Sequence, residues 1–343
     1  MRKVAVEDAI GLALGHDITE IDPRRRIKRR AFRRGHVVAA SDVERLRDLG
    51  KNAIYVWEDD SNLVHEDDAA RLVAPLAAGE GVDHDSEPVE GKIGFRASRR
   101  GLFQVDVERL LELHRLQVPS LPTILTDSMV EKGQAVAAFR IIPLCCTRET
   151  MDAVRSLLAT PLLRVKPFVI DTAAVVVTGD EVFHGRVEDG FVPRLTETLE
   201  RHGVAVTAAE ILPDDRAQIA AAVARHTAGC GLVLVTGGTS VDPDDVTHAA
   251  LADAGVVFAS RGGPLQPGNN LSIGTLGGAR VITVPAAALF FRATALEVFL
   301  PRLLAGDPVT ADDVARAGHG GLCQFCATCH FPVCTFGAGG RVR

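Results

Sequence analysis

An α/β fold is predicted for this chain, a three-layer α/β/α domain with a mainly parallel sheet, preceded by an α+β region. Three observations carry the prediction. The 343 residues exceed one ordinary domain and suggest two or three, at roughly 150 residues each. From residue 171 to 304, short apolar runs alternate regularly with helical stretches, the pattern of a mainly parallel sheet covered on both faces. Before residue 161 the same signals come in no regular order. The implied division is residues 1–165, residues 166–308 and a cysteine-rich tail over 309–343.

The elements follow in order. Residues 6–15 carry a short helical signal. Residues 41–49 read as a helix with Ser41 at its N-cap, Glu44 three positions on as in a capping box, and Gly50 as its stop. Residues 53–57 read as a strand and 67–77 as a helix. Residues 89–97 and 101–105 read as strands around Ser98, Arg99 and Arg100. Leu110, Leu111, Leu113 and Leu116 space residues 107–116 as a helix, and 134–142 read as a strand. A linker is expected between Pro161 and Pro167. Beyond it, strands are expected at 173–177, 204–211, 232–235, 256–258 and 280–284, and helices at 192–202, 216–226 and 246–254. The apolar stretch 284–305 reads as a core helix because Arg292, Glu297 and Arg302 interrupt it too often for a membrane span.

Composition narrows the function classes. With 47% hydrophobic and 24% charged residues, the chain is an ordinary globular protein, and a net charge of −6 argues against nonspecific nucleic-acid binding by the whole molecule. The eight Lys and Arg between positions 24 and 34 are one local exception, readable as a solvated loop or as a patch for RNA, a membrane surface or an anionic substrate. Glu7, Asp8 and Asp17 leave no apolar core for a secretory signal, so the cytoplasm is expected, with no membrane partner. The histidines, His184, His202, His226 and His248 among them, lack metal spacing and read as surface residues. Cys145 with Cys146, and Cys230 alone, do not suggest a disulfide framework.

In an open parallel sheet, ligands bind beyond the carboxyl ends of the strands. Three loops there carry chemistry, namely Thr178-Gly179-Asp180-Glu181, Pro213-Asp214-Asp215 and Thr236-Gly237-Gly238-Thr239-Ser240. Gly237 and Gly238 let backbone N–H groups approach a phosphate, and Thr236, Thr239 and Ser240 add hydroxyls. Asp242-Pro243-Asp244-Asp245 then starts a helix whose positive end faces the same rim. The bland alternative for Asp214, Asp215 and Asp242 is helix capping alone.

These motifs, with Asp245, resemble in order and spacing the molybdopterin-binding, molybdenum-cofactor biosynthesis domain of molybdopterin molybdotransferases, gephyrin-like proteins and molybdopterin adenylyltransferases. The likeness spans most of residues 171–304. Val6-Glu7-Asp8-Ala9-Ile10-Gly11, Gly35-His36-Val37-Val38 with Asp42, and Gly91-Lys92-Ile93 resemble the opening domains of the molybdotransferase type. So does Gly133-Gln134-Ala135-Val136 with Arg140-Ile141-Ile142-Pro143, and the two-part layout favours that side of the family.

The resemblance implies a pocket for molybdopterin or its adenylate, contacted by Thr178, Gly179, Glu181, residues 236–240, Pro267 and Gly268. Asp180, Asp214 and Asp245 match the acids of a catalytic role, and they imply Mg²⁺ or hydrogen bonds to pterin or ribose. The implied chemistry is transfer of molybdate or tungstate onto the dithiolene, followed by delivery to a molybdoenzyme, from a chain that forms homo-oligomers. The alternative is a noncatalytic carrier or sensor. Three positions depart from the family pattern, at Asp189-Gly190, at Asn269 after Pro267-Gly268, and at Pro285-Ala286-Ala287-Ala288 where Pro-Gly-x-Pro is usual. In the place of the family's carboxy-terminal domain stand Gly318-His319-Gly320-Gly321 and a cysteine cluster.

That cluster places Cys323, Cys326, Cys329 and Cys334 within twelve residues, a spacing suited to one metal centre. An iron–sulfur cluster, zinc in a Cys₄ site, zinc in a Cys₃His site using His330, and unmetallated redox thiols are the alternatives. Phe325, Phe331, Pro332 and Phe336 would wall such a site from water or dock the tail on the body.

Overall fold

A computed structural model describes residues 1–57, 60–237 and 246–341. The opening module is built on the antiparallel pair Arg2–Ala5 and Ala53–Val56 and a hairpin of Ile18–Asp22 with Ile27–Phe32. Its core includes Val6, Leu14, Ile18, Leu46 and Ile54. The helical signal at 6–15 gives only a 3₁₀ turn, Glu7–Ala9, because the backbone beyond is claimed by a neighbouring segment. Gly11 and Leu14 N–H donate to the carbonyls of Val38 and His36. A helix does occupy Asp42–Asp48 and ends before the left-handed Gly50, but Ser41 is itself helical and makes no capping bond. Asp42 accepts from Ala39 N–H at 3.0 Å and meets His36 Nε2 at 2.7 Å, so its carboxylate organises the entry that Ser41 was expected to cap.

The arginine-rich stretch is therefore a paired hairpin and no loose loop. Arg29 meets Glu20 at 2.9 Å, Arg30 meets Asp17 at 2.8 Å and Arg34 meets Asp68 at 3.2 Å, so nearby acids, two of the opening module and one of the helix that follows it, offset part of its charge.

The next region has one core, including Val73, Ile93, Phe95, Phe103, Phe139 and Leu163. Helices Glu66–Ala77, Val107–Arg115 and Arg148–Leu157 pack with two small sheets. The strands on either side of the Ser98-Arg99-Arg100 turn go to different sheets. Ile93–Ala97 lies between Val82–His84 and Ala135–Ile141, whereas Gly101–Val105 lies between Ser128–Val130 and Leu163–Lys166. The last of these strands occupies the expected Pro161–Pro167 linker. Its register, Leu163 opposite Val105 and Val165 opposite Phe103, buries Leu163 and Val165.

The third region alternates as the sequence predicts. In chain order it contains β1 (Thr172–Thr178), α1 (Phe191–Glu200), β2 (Ala205–Leu212), α2 (Arg216–Thr227), β3 (Leu232–Thr236), α3 (Thr247–Asp253), β4 (Val257–Arg261), β5 (Ser272–Leu276), β6 (Ala279–Val284), α4 (Ala295–Leu304) and α5 (Ala311–Arg316). The strand order is β2-β1-β3-β6-β5-β4. The contacts from β2 to β6 are parallel, and β5 runs antiparallel to both β6 and β4.

Residues 173, 175 and 177 of β1 enter one core with α1 and α4, and residues 174 and 176 enter another with α2 and α3. Burial on both faces is why β1 reads as an unbroken apolar run. The expected helix over 284–305 is split. A short helix, Ala287–Phe290, ends at the extended Phe291, and α4 restarts after Thr294, whose capping box with Glu297 closes at 2.7 and 2.9 Å. Residues Val309, Val314, Ala317 and Phe336 belong to the α1–α4 core, so the tail packs into this domain's body.

Candidate functional site

The parallel order decides where the loops go. β1, β2, β3 and β6 run in one direction, and β4, two antiparallel steps from β6, runs the same way. Thr178 and Gly179, Asp214, Gly237, Pro267 with Gly268, and Pro285 with Ala286 therefore all follow strands at a single edge. The chain leaves β1 for β2 on one side and returns to β3 on the other, so the topological switch lies between the loops after β1 and β3, where α/β sheets open a crevice.

A cavity of about 410 Å³ occupies that place. Its lining among the described residues includes Thr178, Glu181, Gly237 and Gly268, four of the residues singled out in the sequence, brought together from three loops. Asn269, Asn270, Val182, Phe191 and Pro285–Ala287 complete it. Of these, Val182, Phe191 and Asn270 carried no signal in the sequence beyond their position beside a motif.

Gly237 sits at φ +84°, and a Cβ there would overlap the carbonyl oxygen of Thr178, so the close approach of the two loops requires glycine. The approach is tied by hydroxyls. Thr178 Oγ1 donates to Thr236 O at 3.0 Å, and Thr247 Oγ1, at the start of α3, donates to Gly237 O at 3.1 Å. Gly179 has φ +144° and donates its N–H to Leu212 O at 3.2 Å, joining the loops after β1 and β2. Gly268, at φ +110°, lies against the N-terminus of α4, where an added Cβ would come within 2.8 Å of Ala295 N. Pro267 does not line the cavity. Its carbonyl accepts from Ala295 N–H at 3.1 Å and sets the loop behind Gly268.

Other expected site residues stand elsewhere. Thr236 is fully buried at the end of β3 and is not part of the lining. Asp180 and Asp214 are neighbours but face each other's backbone, with Asp180 N–H donating to Asp214 Oδ2 at 3.2 Å and Asp214 N–H donating to Asp180 Oδ1 at 3.3 Å. Asp215 caps α2 through Gln218 N–H at 2.9 Å, which is the bland reading of that acid. Gly238, Thr239, Ser240 and Asp245 lie outside the described residues. Glu181 is the carboxylate among the described lining residues, and no Lys or Arg lines the cavity there. Ala286 has φ −54° at the head of the short helix, so alanine in place of the family's glycine meets no backbone conflict.

The tail cysteines line a second cavity, of about 260 Å³, with Phe291, Phe325, Phe331 and Phe336. Among the described residues no three His, Cys, Asp or Glu side chains converge tightly enough to hold a single metal ion. Among the other cysteines Cys146 is buried, which pushes its thiol up to about 11. His202, His226 and His248 are half-buried and bonded to Thr198 O, Glu210 and Ser272, each at 2.9 Å. No described helix is long and apolar enough to cross a membrane.

Residues 174–305 match the family model described as "probable molybdopterin binding domain", and residues 3–58 match one described as a domain of unknown function. The first comparison assigns the segment 174–305 to that domain family. Among curated proteins, a CinA-like protein of Desulfosudis oleivorans is 38% identical over 82 residues, which are 24% of this chain and 20% of that protein. The molybdenum cofactor biosynthesis bifunctional protein of Synechococcus elongatus is 34% identical over 86 residues, 25% of this chain and 27% of that one. The match thus spans only about a fifth to a quarter of these relatives' length. Among solved structures, the protein CinA of unknown function from Thermoplasma acidophilum is 20% identical with a TM-score of 0.36, covering 39% of this chain and 98% of that one. The tungsten cofactor synthesizing protein MoaB from Pyrococcus furiosus is 18% identical with a TM-score of 0.31, covering 39% and 93%.

Proposed function

We propose, from the membership of residues 174–305 in the molybdopterin-binding domain family, that the cavity at the switch point receives molybdopterin or its adenylate. We propose further that the chain serves molybdenum or tungsten cofactor assembly in the cytoplasm. The observation that carries this reading is the gathering of Thr178, Glu181, Gly237 and Gly268 around one cavity at the carboxyl edge of the parallel strands. The phosphate end of the ligand belongs at Gly237 and the residues that follow it. There, glycine lets backbone N–H groups come close, and with no Lys or Arg among the described lining residues the amides are the donors proposed.

In this reading Asp180 and Asp214 are positioning residues, each bracing the other's loop. Glu181 is the described carboxylate available to pterin or ribose hydrogen bonds, or to a Mg²⁺ that would take its other oxygens from the ligand's phosphate. Asp245 carries the catalytic role that the family pattern implies. Transfer of molybdate or tungstate to the bound pterin, as a molybdotransferase-like transferase, is the activity proposed, with delivery to a recipient molybdoenzyme and a homo-oligomeric state. A second reading, a carrier or sensor without turnover, is favoured by one observation, the engagement of Asp180 and Asp214 with backbone.

Anaerobic titration of the full chain with molybdopterin tests the binding. Measurable affinity is expected, weakened about tenfold in Asn269→Ala, which removes an exposed lining amide worth roughly a kcal/mol or more. No affinity for molybdopterin or its adenylate overturns the reading. Complementation separates the two versions. Rescue of molybdoenzyme activity in a strain lacking its molybdotransferase, abolished by Asp245→Ala, selects turnover, and binding without rescue selects the carrier.

A further inference from the structure

The four tail cysteines are not used by the pterin site, and they do not form disulfides with one another. They surround a common cavity instead of meeting at a point. A single tetrahedral zinc would require the four sulfurs to lie roughly 3.8 Å apart, given Zn–S bonds of about 2.3 Å. A cubane cluster requires them spread around its faces, with room for inorganic atoms between. The first three cysteines, spaced Cys-x₂-Cys-x₂-Cys, match the start of a cluster-binding run, and the fourth stands one residue further along than in that run. We propose that Cys323, Cys326, Cys329 and Cys334 are the ligands of a four-iron, four-sulfur cluster seated in this cavity.

The surroundings suit such a group in three respects. Cys323 and Cys329 are half-buried against the domain core and form a base, whereas Cys326 and Cys334 are exposed at the rim. Phe325 is held at φ +52°, which turns its N–H toward Cys323 Sγ at 3.4 Å, a donor for thiolate charge. Four thiolates on a cluster leave net negative charge. The lining holds no Asp or Glu among the described residues, but it does hold Arg292 and His330, and Arg341 stands 5.6 Å over the lining Phe331 ring. The ring pairs Phe291–Phe325 and Phe331–Phe336, at 5.6 and 6.2 Å, form apolar walls of the cavity.

The site is also wired to the first cavity by backbone. Cys323 N–H donates to Gln266 O at 2.8 Å and Gln266 N–H donates to Gly321 O at 2.7 Å, two residues before the Gly268 that lines the pterin cavity. A cluster of two ferrous and two ferric irons assembles from those ions, four sulfides and the four cysteines, each thiol releasing its proton, with no net electron transfer. The assignment does not depend on the pterin reading.

The test uses the full chain purified anaerobically and offered equal parts of ferrous and ferric iron with sulfide, or Zn²⁺ alone. About four irons and four acid-labile sulfides per chain are expected, with a broad visible absorption that dithionite bleaches. Cys326→Ser and Cys334→Ser, at exposed positions where circular dichroism can verify folding, should each lower iron retention roughly tenfold or more, since even an outer-shell partner has that effect on metal affinity. Cys230→Ser, outside the cavity, should retain iron as the parent does. One zinc per chain without labile sulfide, no bound metal, or iron retention indifferent to the tail substitutions would each overturn the proposal. Pterin affinity enters none of these readouts.

Discussion

Glu66 is buried 5% exposed at the head of its helix, and burial together with the Asp67 carboxylate pushes its pKa up to about 7, with Arg140 at 3.5 Å only partly offsetting them. A folded state that holds a proton the unfolded chain has released loses stability as pH rises. Between the ordinary carboxylate range and pH 7 the stability of this protein should therefore fall, and it should level off above. Glu66→Gln, nearly isosteric against Gly91, should remove that slope and stabilise the protein at pH 8, as urea denaturation at pH 5 and pH 8 would reveal. Identical pH profiles for variant and parent would refute the assignment. Gly237→Ala is the complementary test at the site. The left-handed backbone and the Thr178 carbonyl together should make it at least about 2 kcal/mol less stable, with loss of pterin affinity. Of this residue-level detail, the need for glycine at 237 was legible as a Gly-Gly turn. The state of Glu66 was not, since nothing in its neighbours along the chain says that it is buried.

At the scale of elements, helices and strands were legible where their apolar period is strong and their caps are local. Helix α5, within the stretch that reads in the sequence only as a cysteine-rich tail, joins a local cap to a distant partner. Thr310 caps it in a box with Asp313, and Asp313 also accepts from the buried Arg302 of α4 at 3.1 Å. Burial alone would raise the Asp313 pKa, but the Arg302 and Thr310 hydrogen bonds outweigh it and hold the group down to about 2. A depressed carboxylate contributes stability above its unfolded pKa and loses it as pH falls toward the folded value. The α5 attachment should accordingly weaken between about pH 4 and pH 2, and Asp313→Ala should cost about 2 kcal/mol, because it takes from the buried Arg302 guanidinium one of its two carboxylate partners and leaves Asp127. Thermal denaturation at pH 7 checks the second expectation, and a loss under about half a kcal/mol would discount the pair. Elements were misjudged where the partner strand is remote. The stretch before Pro167 reads as a linker until Gly101–Val105 lies beside it, whereas the arginine-rich stretch, whose partner strand is its neighbour, reads as a loop because its charges meet Glu20 and Asp17 only in the folded hairpin.

At the scale of the whole molecule, the regions meet through a polar junction. Gln104 Nε2 donates to Asp127 at 2.8 Å and to Asp307 at 2.7 Å, Lys166 pairs with Asp307, and Arg302 lies 3.8 Å from Asp127. The sequence by itself determined the α/β class, the alternation of strands and helices after residue 171, the loops that face one rim and the cysteine spacing, because each depends on neighbours along the chain. Tertiary structure decided which rim residues share a cavity. It turned Asp180 and Asp214 toward each other's backbone, joined Gly268 and the 285–287 segment to the site, and set the tail cysteines around a space. Those outcomes depend on strand order and on contacts between segments distant along the chain, and sequence periodicity carries no information about either.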